Sequence, residues 1–162
     1  MSPTPRPSYL DDVDDVVAVR RDLHAHPELG FTEIRTAALV LTALERLGWT
    51  ARCGRDVFDI TGLPGLPDAQ VLDAAEQRAL EEGVPSPLVQ QLRGGNTAVV
   101  AELTGNRPGP TVALRCDMDA LPILKSIQDD HRPTRLGFSS RHPGASTPAG
   151  TTQRPGAEGE LQ

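Results

Sequence analysis

The sequence predicts an α/β domain, because amphipathic helical patterns alternate with short runs that are typical of strands. A first helical pattern covers Tyr9–His26 and a second covers about Thr32–Leu47. The run Trp49–Cys53 that follows is short and strand-like. Two helices that lead directly into a strand favour a layered α/β arrangement over a helical bundle.

The ends of the two N-terminal helices are marked as clearly as their apolar faces. Pro27 ends the first helix, because proline is not tolerated in a helix interior. Gly48 follows the second helix at the position where glycine commonly caps a C-terminus. The second helix has one continuous apolar face, which consists of Ile34, Ala37, Ala38, Leu41, Leu44 and Leu47. Both segments are therefore predicted to bury one face.

The middle of the chain is predicted to contain a loop and two further helices. Glycine and proline residues mark Ile60–Pro67 as a loop. Asp68–Glu82 has the pattern of a surface helix, and Gly83 follows it. A shorter helix is predicted over Ser86–Leu92, because proline is well tolerated in the first turn.

A predicted β-hairpin carries two carboxylates to the edge of the sheet. Its strands are Asn96–Leu103 and Thr111–Cys116, joined by a turn rich in glycine and proline. Asp117 and Asp119 follow the second strand, and alternate residues of an extended chain point to the same face. Two buried acids are costly unless they are hydrogen-bonded or face a metal. The pattern leaves two interpretations open, a metal-facing pair and a D-x-D turn that caps its own backbone.

Composition excludes several classes of function. The net charge is −6, and no Lys/Arg cluster provides a nucleic-acid footprint. Two cysteines, Cys53 and Cys116, are too few for a disulfide framework. No window is apolar enough for a membrane span, and the start of the chain lacks the apolar region of a signal peptide. A cytoplasmic protein with no nucleic-acid or membrane partner is predicted.

Four motifs occur in an order that identifies a family. They are R-R-D-L-H-A-H-P-E-L-G-F-T-E (Arg20–Glu33), G-N-T-A-V-V-A-E-L (Gly95–Leu103), R-P-G-P-T-V-A-L-R (Arg107–Arg115) and D-M-D-A-L-P-I (Asp117–Ile123). Together they resemble the metal-dependent amidohydrolases of the hippurate hydrolase and auxin-conjugate hydrolase type. Residues 65–68 and 131–140 look most like the p-aminobenzoyl-glutamate hydrolase branch of that family.

The resemblance implies a fold and an activity. Residues 1–144 would form the N-terminal portion of a zinc-peptidase-like catalytic domain, in which helices flank a mixed sheet. Intact members hold divalent metal ions, zinc or manganese, which activate water against an amide carbonyl. A downstream glutamate acts as general base. The substrate would be a small N-acyl or p-aminobenzoyl amino acid, and both homo- and hetero-oligomers remain open for the intact enzyme.

The resemblance also implies roles for individual residues. Asp117 would lie next to the metals, and Asp119 would orient the metal-bound groups from behind them. A structural role is implied for residues of the first motif, namely Arg20, His24, Pro27, Glu28 and Glu33. On a helix, residues two apart such as His24 and His26 face different sides, so their spacing does not indicate a shared metal.

The chain departs from the family where the motif H-A-C-G-H-D is due. After Pro143 and Gly144 it reads A-S-T-P-A-G-T-T (Ala145–Thr152), which contains no thiolate or imidazole ligand. Ser146–Thr152 can be encoded as TCC-ACG-CCT-GCG-GGC-ACG-ACG. Read one nucleotide earlier, the same string gives xTC-CAC-GCC-TGC-GGG-CAC-GAC, which encodes the missing motif. A frameshift between about His142 and Ser146 is therefore predicted.

The frameshift has consequences for the chain as it stands. Residues 145–162 would be an out-of-frame, disordered tail, because Leu161 is their only large aliphatic residue. Without the later ligands and the general base, the fragment is expected to be inactive and to bind no metal. The alternatives are a genuine short protein and, in function, a non-enzymatic interaction module that retains the N-terminal helices and the hairpin.

Overall fold

The computed structural model describes residues 16–123 and 128–140. Its helices are α1 (Val16–Ala25), α2 (Ile34–Arg46), α3 (Ala69–Glu81), α4 (Ser86–Leu92) and α5 (Arg132–Arg135). Its strands are β1 (Thr50–Cys53) and β2 (Val99–Glu102), and a 3₁₀ turn covers Gly54–Asp56. The predicted tail, the predicted frameshift position and the start of the first predicted helix lie outside the described residues. Within the described ranges, no helix has the length and apolar character that a membrane crossing requires.

The two strands form an antiparallel pair at one side of the helices. Thr50 lies opposite Glu102, and Cys53 lies opposite Val99. β1 joins the sheet directly from α2, which packs against both strands and against α3 and α4. The predicted α/β class is confirmed in this form, as helices packed on a small antiparallel sheet.

The predicted hairpin is wrong. β2 pairs with β1, whereas residues 111–116 form no strand. The side chains of Val112 and Leu114 are 76% and 89% exposed. Pairing with β1 buries Cys53 within the core. Within the described part of the chain, residues 111–116 gain no such burial, because nothing covers Val112 and Leu114.

The core lies where α2 meets the sheet and the two middle helices. Ile34 of α2 and Leu92 of α4 are its largest fully buried side chains. The cluster contains no aromatic residue and consists of Ile34, Ala37, Ala38, Leu41, Cys53, Ala75, Ala79, Val84, Val89 and Leu92. The small side chains of α3 let that helix approach α2 closely. The α2 helix therefore contacts α3, α4 and both strands.

The composition of the core predicts the effect of two leucine truncations. Leu92→Ala should lower the free energy of unfolding by about 2–5 kcal/mol, because it leaves a cavity in the core. Leu114→Ala should change it by less than about 0.5 kcal/mol, because that side chain is exposed. Urea denaturation followed by circular dichroism measures both values. Equal losses would contradict the exposed position of residues 111–116.

Candidate functional site

Glu28 caps helix α2 from the loop before it. One carboxylate oxygen accepts the backbone N–H of Arg35 at 3.0 Å, and the other accepts that of Thr36 at 2.7 Å. These N–H groups belong to the first turn of α2, where no intrahelical acceptor is available. A negative charge is also favoured at this positive end of the helix dipole. Because Glu28 is only 4% exposed, the cap is a buried one.

Glu33 is the residue that precedes α2, and its side chain points to a different partner. It makes no capping hydrogen bond to the helix. Instead, the hydroxyl of Thr97 donates to its carboxylate at 2.8 Å, and both residues are buried. This bond connects the start of α2 to the segment that leads into β2.

Burial sets the ionisation of both glutamates. Desolvation raises the pKa of Glu28, and the hydrogen bonds from Thr36 and Arg35 partly offset this increase. Desolvation also raises the pKa of Glu33, and the negative charges of Asp119 and Glu28 raise it further. The guanidinium of Arg78 lies 3.9 Å from the Glu28 carboxylate and favours its charged form. The first turn of α2 is therefore surrounded by acids that the fold holds close together.

Arg35 connects three helices around this turn. One of its terminal nitrogens donates to both carboxylate oxygens of Asp22 at 2.9 Å. Its Nε lies 3.4 Å from the carboxylate of Glu82, the residue that follows α3. Asp22 belongs to α1, so the arginine holds α1 and the end of α3 against the start of α2. These hydrogen bonds join two charged groups, which makes them stronger than neutral ones.

Residues 118–120 dock onto the same region. The backbone N–H of Ala120 donates to the carbonyl oxygen of Glu28 at 2.7 Å. Met118 packs against the core cluster. Asp119, between them, is exposed, and its charge acts on Glu33. Three of the sequence motifs therefore converge at the first turn of α2.

Asp117 lies apart from this cluster. Its carboxylate accepts a hydrogen bond from Arg115 at 2.6 Å, and both side chains are mostly exposed. The roles predicted for Asp117 next to a metal and for Asp119 behind it remain predictions. In residues 16–123 and 128–140, no three His, Cys, Asp or Glu side chains are grouped so that they could hold a metal ion. The described residues alone thus do not form the metal site that the family resemblance implies.

The two histidines of the first motif have separate partners. His24 donates from Nδ1 to the carbonyl oxygen of Phe138 at 2.9 Å, and the two rings meet edge to face. His26 donates from Nδ1 to the carbonyl oxygen of Asp22 at 2.9 Å. The guanidinium of Arg21 lies 5.2 Å from the centre of the Phe138 ring. The contacts of His24 and Arg21 attach Phe138 to α1, whereas the His26 bond is local.

Sequence reasoning missed Arg35 and Thr97 as members of the cluster. Arg35 lies on a helix among apolar residues, and its partners are 13 and 47 positions away in the chain. Thr97 is 64 positions from Glu33. The only local sign that Thr97 has a role was its place within the G-N-T motif. Threonine is also common in strands, so its presence next to a strand needs no further explanation.

Comparison with known proteins gives a consistent set of relatives. The chain is 46% identical, over 77% of its length, to indole-3-acetyl-aspartic acid hydrolase of Enterobacter agglomerans. It is 41% identical, over the same share, to one component of the p-aminobenzoyl-glutamate hydrolase of Escherichia coli. The crystal structure of an aminobenzoyl-glutamate utilization protein from Klebsiella pneumoniae matches 70% of the chain, with a TM-score of 0.63 and 45% identity. No protein-family model matches the chain.

These matches cover a limited part of each relative. The chain covers 29% of each of the two curated relatives and 29% of the solved chain. The solved structure has the same fold over the matched part, at an identity that also supports common ancestry.

The raised pKa of Glu33 predicts a pH dependence of stability. The folded state holds the Glu33 proton more tightly than the unfolded state, so this group stabilises the fold at low pH. Its contribution is lost as pH rises from the unfolded pKa, about 4.3, through the folded pKa. Glu33→Gln keeps an acceptor for Thr97 but cannot ionise. The quantity of interest is the free energy of unfolding of Glu33→Gln minus that of the wild type. We expect this difference to become more positive as pH rises from 4 to 7.

Urea denaturation at a series of pH values measures this difference. Asp73→Asn, which neutralises an exposed carboxylate on α3, is the control and should leave the pH profile unchanged. A constant difference between Glu33→Gln and wild type over the whole range would contradict a raised pKa.

Proposed function

We propose that this chain, which belongs to the amidohydrolase family of the relatives above, is the N-terminal portion of a metal-dependent hydrolase of N-acyl or p-aminobenzoyl amino acids. The similarity to two such hydrolases over 77% of the chain carries the proposal. Both relatives are named for substrates in which an amide joins an aromatic acid to an acidic amino acid. A substrate of this class, free in the cytoplasm, is the proposed partner.

Within the intact enzyme, this portion would contribute structure and two carboxylates. The α2 layer would be one side of a catalytic domain in which helices flank a mixed sheet. Divalent zinc or manganese, when bound, would supply the activated water. Asp117 would lie next to the metals, and Asp119 would orient the groups that hold them. The pair between Arg115 and Asp117 does not oppose this role, because an exposed ion pair is worth at most about 1 kcal/mol.

A frameshift in the gene would explain why the chain lacks the other ligands. With the codons given above for Ser146–Thr152, a single-nucleotide shift near codon 145 would yield the motif H-A-C-G-H-D at the position where the family carries it. Thiolate and imidazole ligands cannot be replaced by serine, threonine and proline in a metal site. We therefore infer that the chain as given is inactive and binds no metal, and that the shifted frame encodes the remaining ligands and the general base.

Restoring the frame tests this function. The nucleotide sequence from codon 140 onward should continue, in the shifted frame, through H-A-C-G-H-D into a further coding segment. With that frame restored, the product should hydrolyse p-aminobenzoyl-glutamate or indole-3-acetyl-aspartate in a metal-dependent manner. In it, Asp119→Ala should reduce turnover by about 10–100-fold, the usual effect of losing a group that orients metal ligands. Asp73→Ala, which removes an exposed carboxylate on α3, is the matched control.

Two results would defeat separate parts of the proposal. A stop codon soon after the restored position would refute the frameshift. Full turnover in the Asp119→Ala enzyme would refute the role of that carboxylate, while the family assignment would stand.

A further inference from the structure

We propose that Glu28 is a positioning residue for Asp119 and that it acts through its own backbone carbonyl. The side chain of Glu28 caps α2, and its carbonyl oxygen holds the residue that follows Asp119. The inference rests on the proposed function, which gives Asp119 its role in the site. It goes further by naming the contact that determines where this carboxylate lies.

The Glu28 peptide is held rigidly. Both carboxylate oxygens accept backbone N–H groups of α2, so rotation of the side chain would break two hydrogen bonds at once. The residue is 4% exposed, and water cannot readily replace the lost partners. An unpaired buried group costs about 1–3 kcal/mol, which opposes such a rotation. Because the side chain is fixed at its far end, the backbone of Glu28 is fixed as well.

Asp119 lies between two anchored residues. The N–H of Ala120 donates to the Glu28 carbonyl at 2.7 Å, a short bond for an amide donor. On the other side, Met118 packs against the buried cluster around α2. Residues 111–117, which precede these anchors, are exposed throughout. The docked part of the chain therefore begins at Met118, and Asp119 is an exposed residue held between two docked neighbours.

The contacts that anchor residues 118–120 are neutral. The N–H of Ala120 and the carbonyl of Glu28 are backbone groups, and Met118 packs through an apolar side chain. Neither contact depends on the charge of Asp119.

Glu28→Gln tests the proposal in the chain as it is. The amide has one oxygen, so it accepts one N–H of α2 and turns its NH₂ group towards the other donor. We expect hydrogen exchange of the Ala120 amide to become at least about tenfold faster relative to that of Ala38 inside α2. The ¹⁵N order parameter of the Asp119 amide should fall, from a value near 0.85 towards about 0.6.

Glu76→Gln is the matched control. The Glu76 carboxylate also accepts a backbone N–H, from Gly94 at 3.1 Å, and also pairs with an arginine, Arg93 at 3.7 Å. Glu76 belongs to α3, and neither of these two contacts involves residues 118–120. This variant should leave both NMR signals of residues 119 and 120 unchanged.

A second variant removes the donor and leaves Glu28 intact. Ala120→Pro lacks the N–H, so it should lower the Asp119 order parameter in the same way as Glu28→Gln. If Glu28→Gln does not fold, Ala120→Pro still tests whether the Ala120 hydrogen bond holds Asp119 in place. An unchanged order parameter in Ala120→Pro would overturn the proposal. Equal acceleration of exchange at Ala38 and Ala120 in Glu28→Gln would also overturn it, because Glu28 would then support only global stability.

These measurements need neither substrate nor metal. A failure of the positioning role would therefore leave the proposed function standing. Conversely, an inactive frame-restored enzyme would leave the NMR result, and the contact it measures, unaffected.

Discussion

The buried carboxylate of Glu28 at the first turn of α2 is the interaction on which the rest of the structure depends. Helix α2 contacts both strands and the two middle helices, so the position of its N-terminus sets the geometry of the core. Burial of a carboxylate is unfavourable and raises its pKa, but two backbone N–H donors, the helix dipole and Arg78 oppose that effect. The cap therefore satisfies the helix end and, through its carbonyl, holds Ala120 as well.

The same turn explains how distant motifs become one site. Thr97 is attached through Glu33, Asp22 and Glu82 through Arg35, and residues 118–120 through Glu28. The connections made by Glu33 and Arg35 use carboxylate and guanidinium groups, and charge-assisted hydrogen bonds are about twice as strong as neutral ones. The connection to Ala120 is a backbone hydrogen bond. Residues 118–120 of the D-M-D-A-L-P-I motif dock here, whereas Asp117 pairs with an exposed arginine.

The sequence predicted the helices well and the long-range pairings poorly. The predicted bounds of α4 match the structure, and those of α2 and α3 differ by one or two residues, because periodicity and capping residues are local signals. The hairpin was predicted from composition and spacing, which reveal neither that β2 pairs with the distant β1 nor that residues 111–116 remain exposed. The Glu28 cap was not predictable in detail, because Glu28 lies outside the helix and reaches donors seven and eight residues later. Its structural role was indicated only by the family resemblance.

A double-mutant cycle between Glu33 and Thr97 tests most directly whether buried carboxylates at this turn hold the motifs together. Glu33→Leu and Thr97→Val remove the two partners separately and together, with similar side-chain volumes, and the free energy of unfolding is measured for all four proteins. We expect a coupling energy of about 0.5–3 kcal/mol, the range found for residues in direct contact. A coupling energy near zero would show that the Thr97 segment is held in place by other contacts, and it would contradict the central role of these carboxylates.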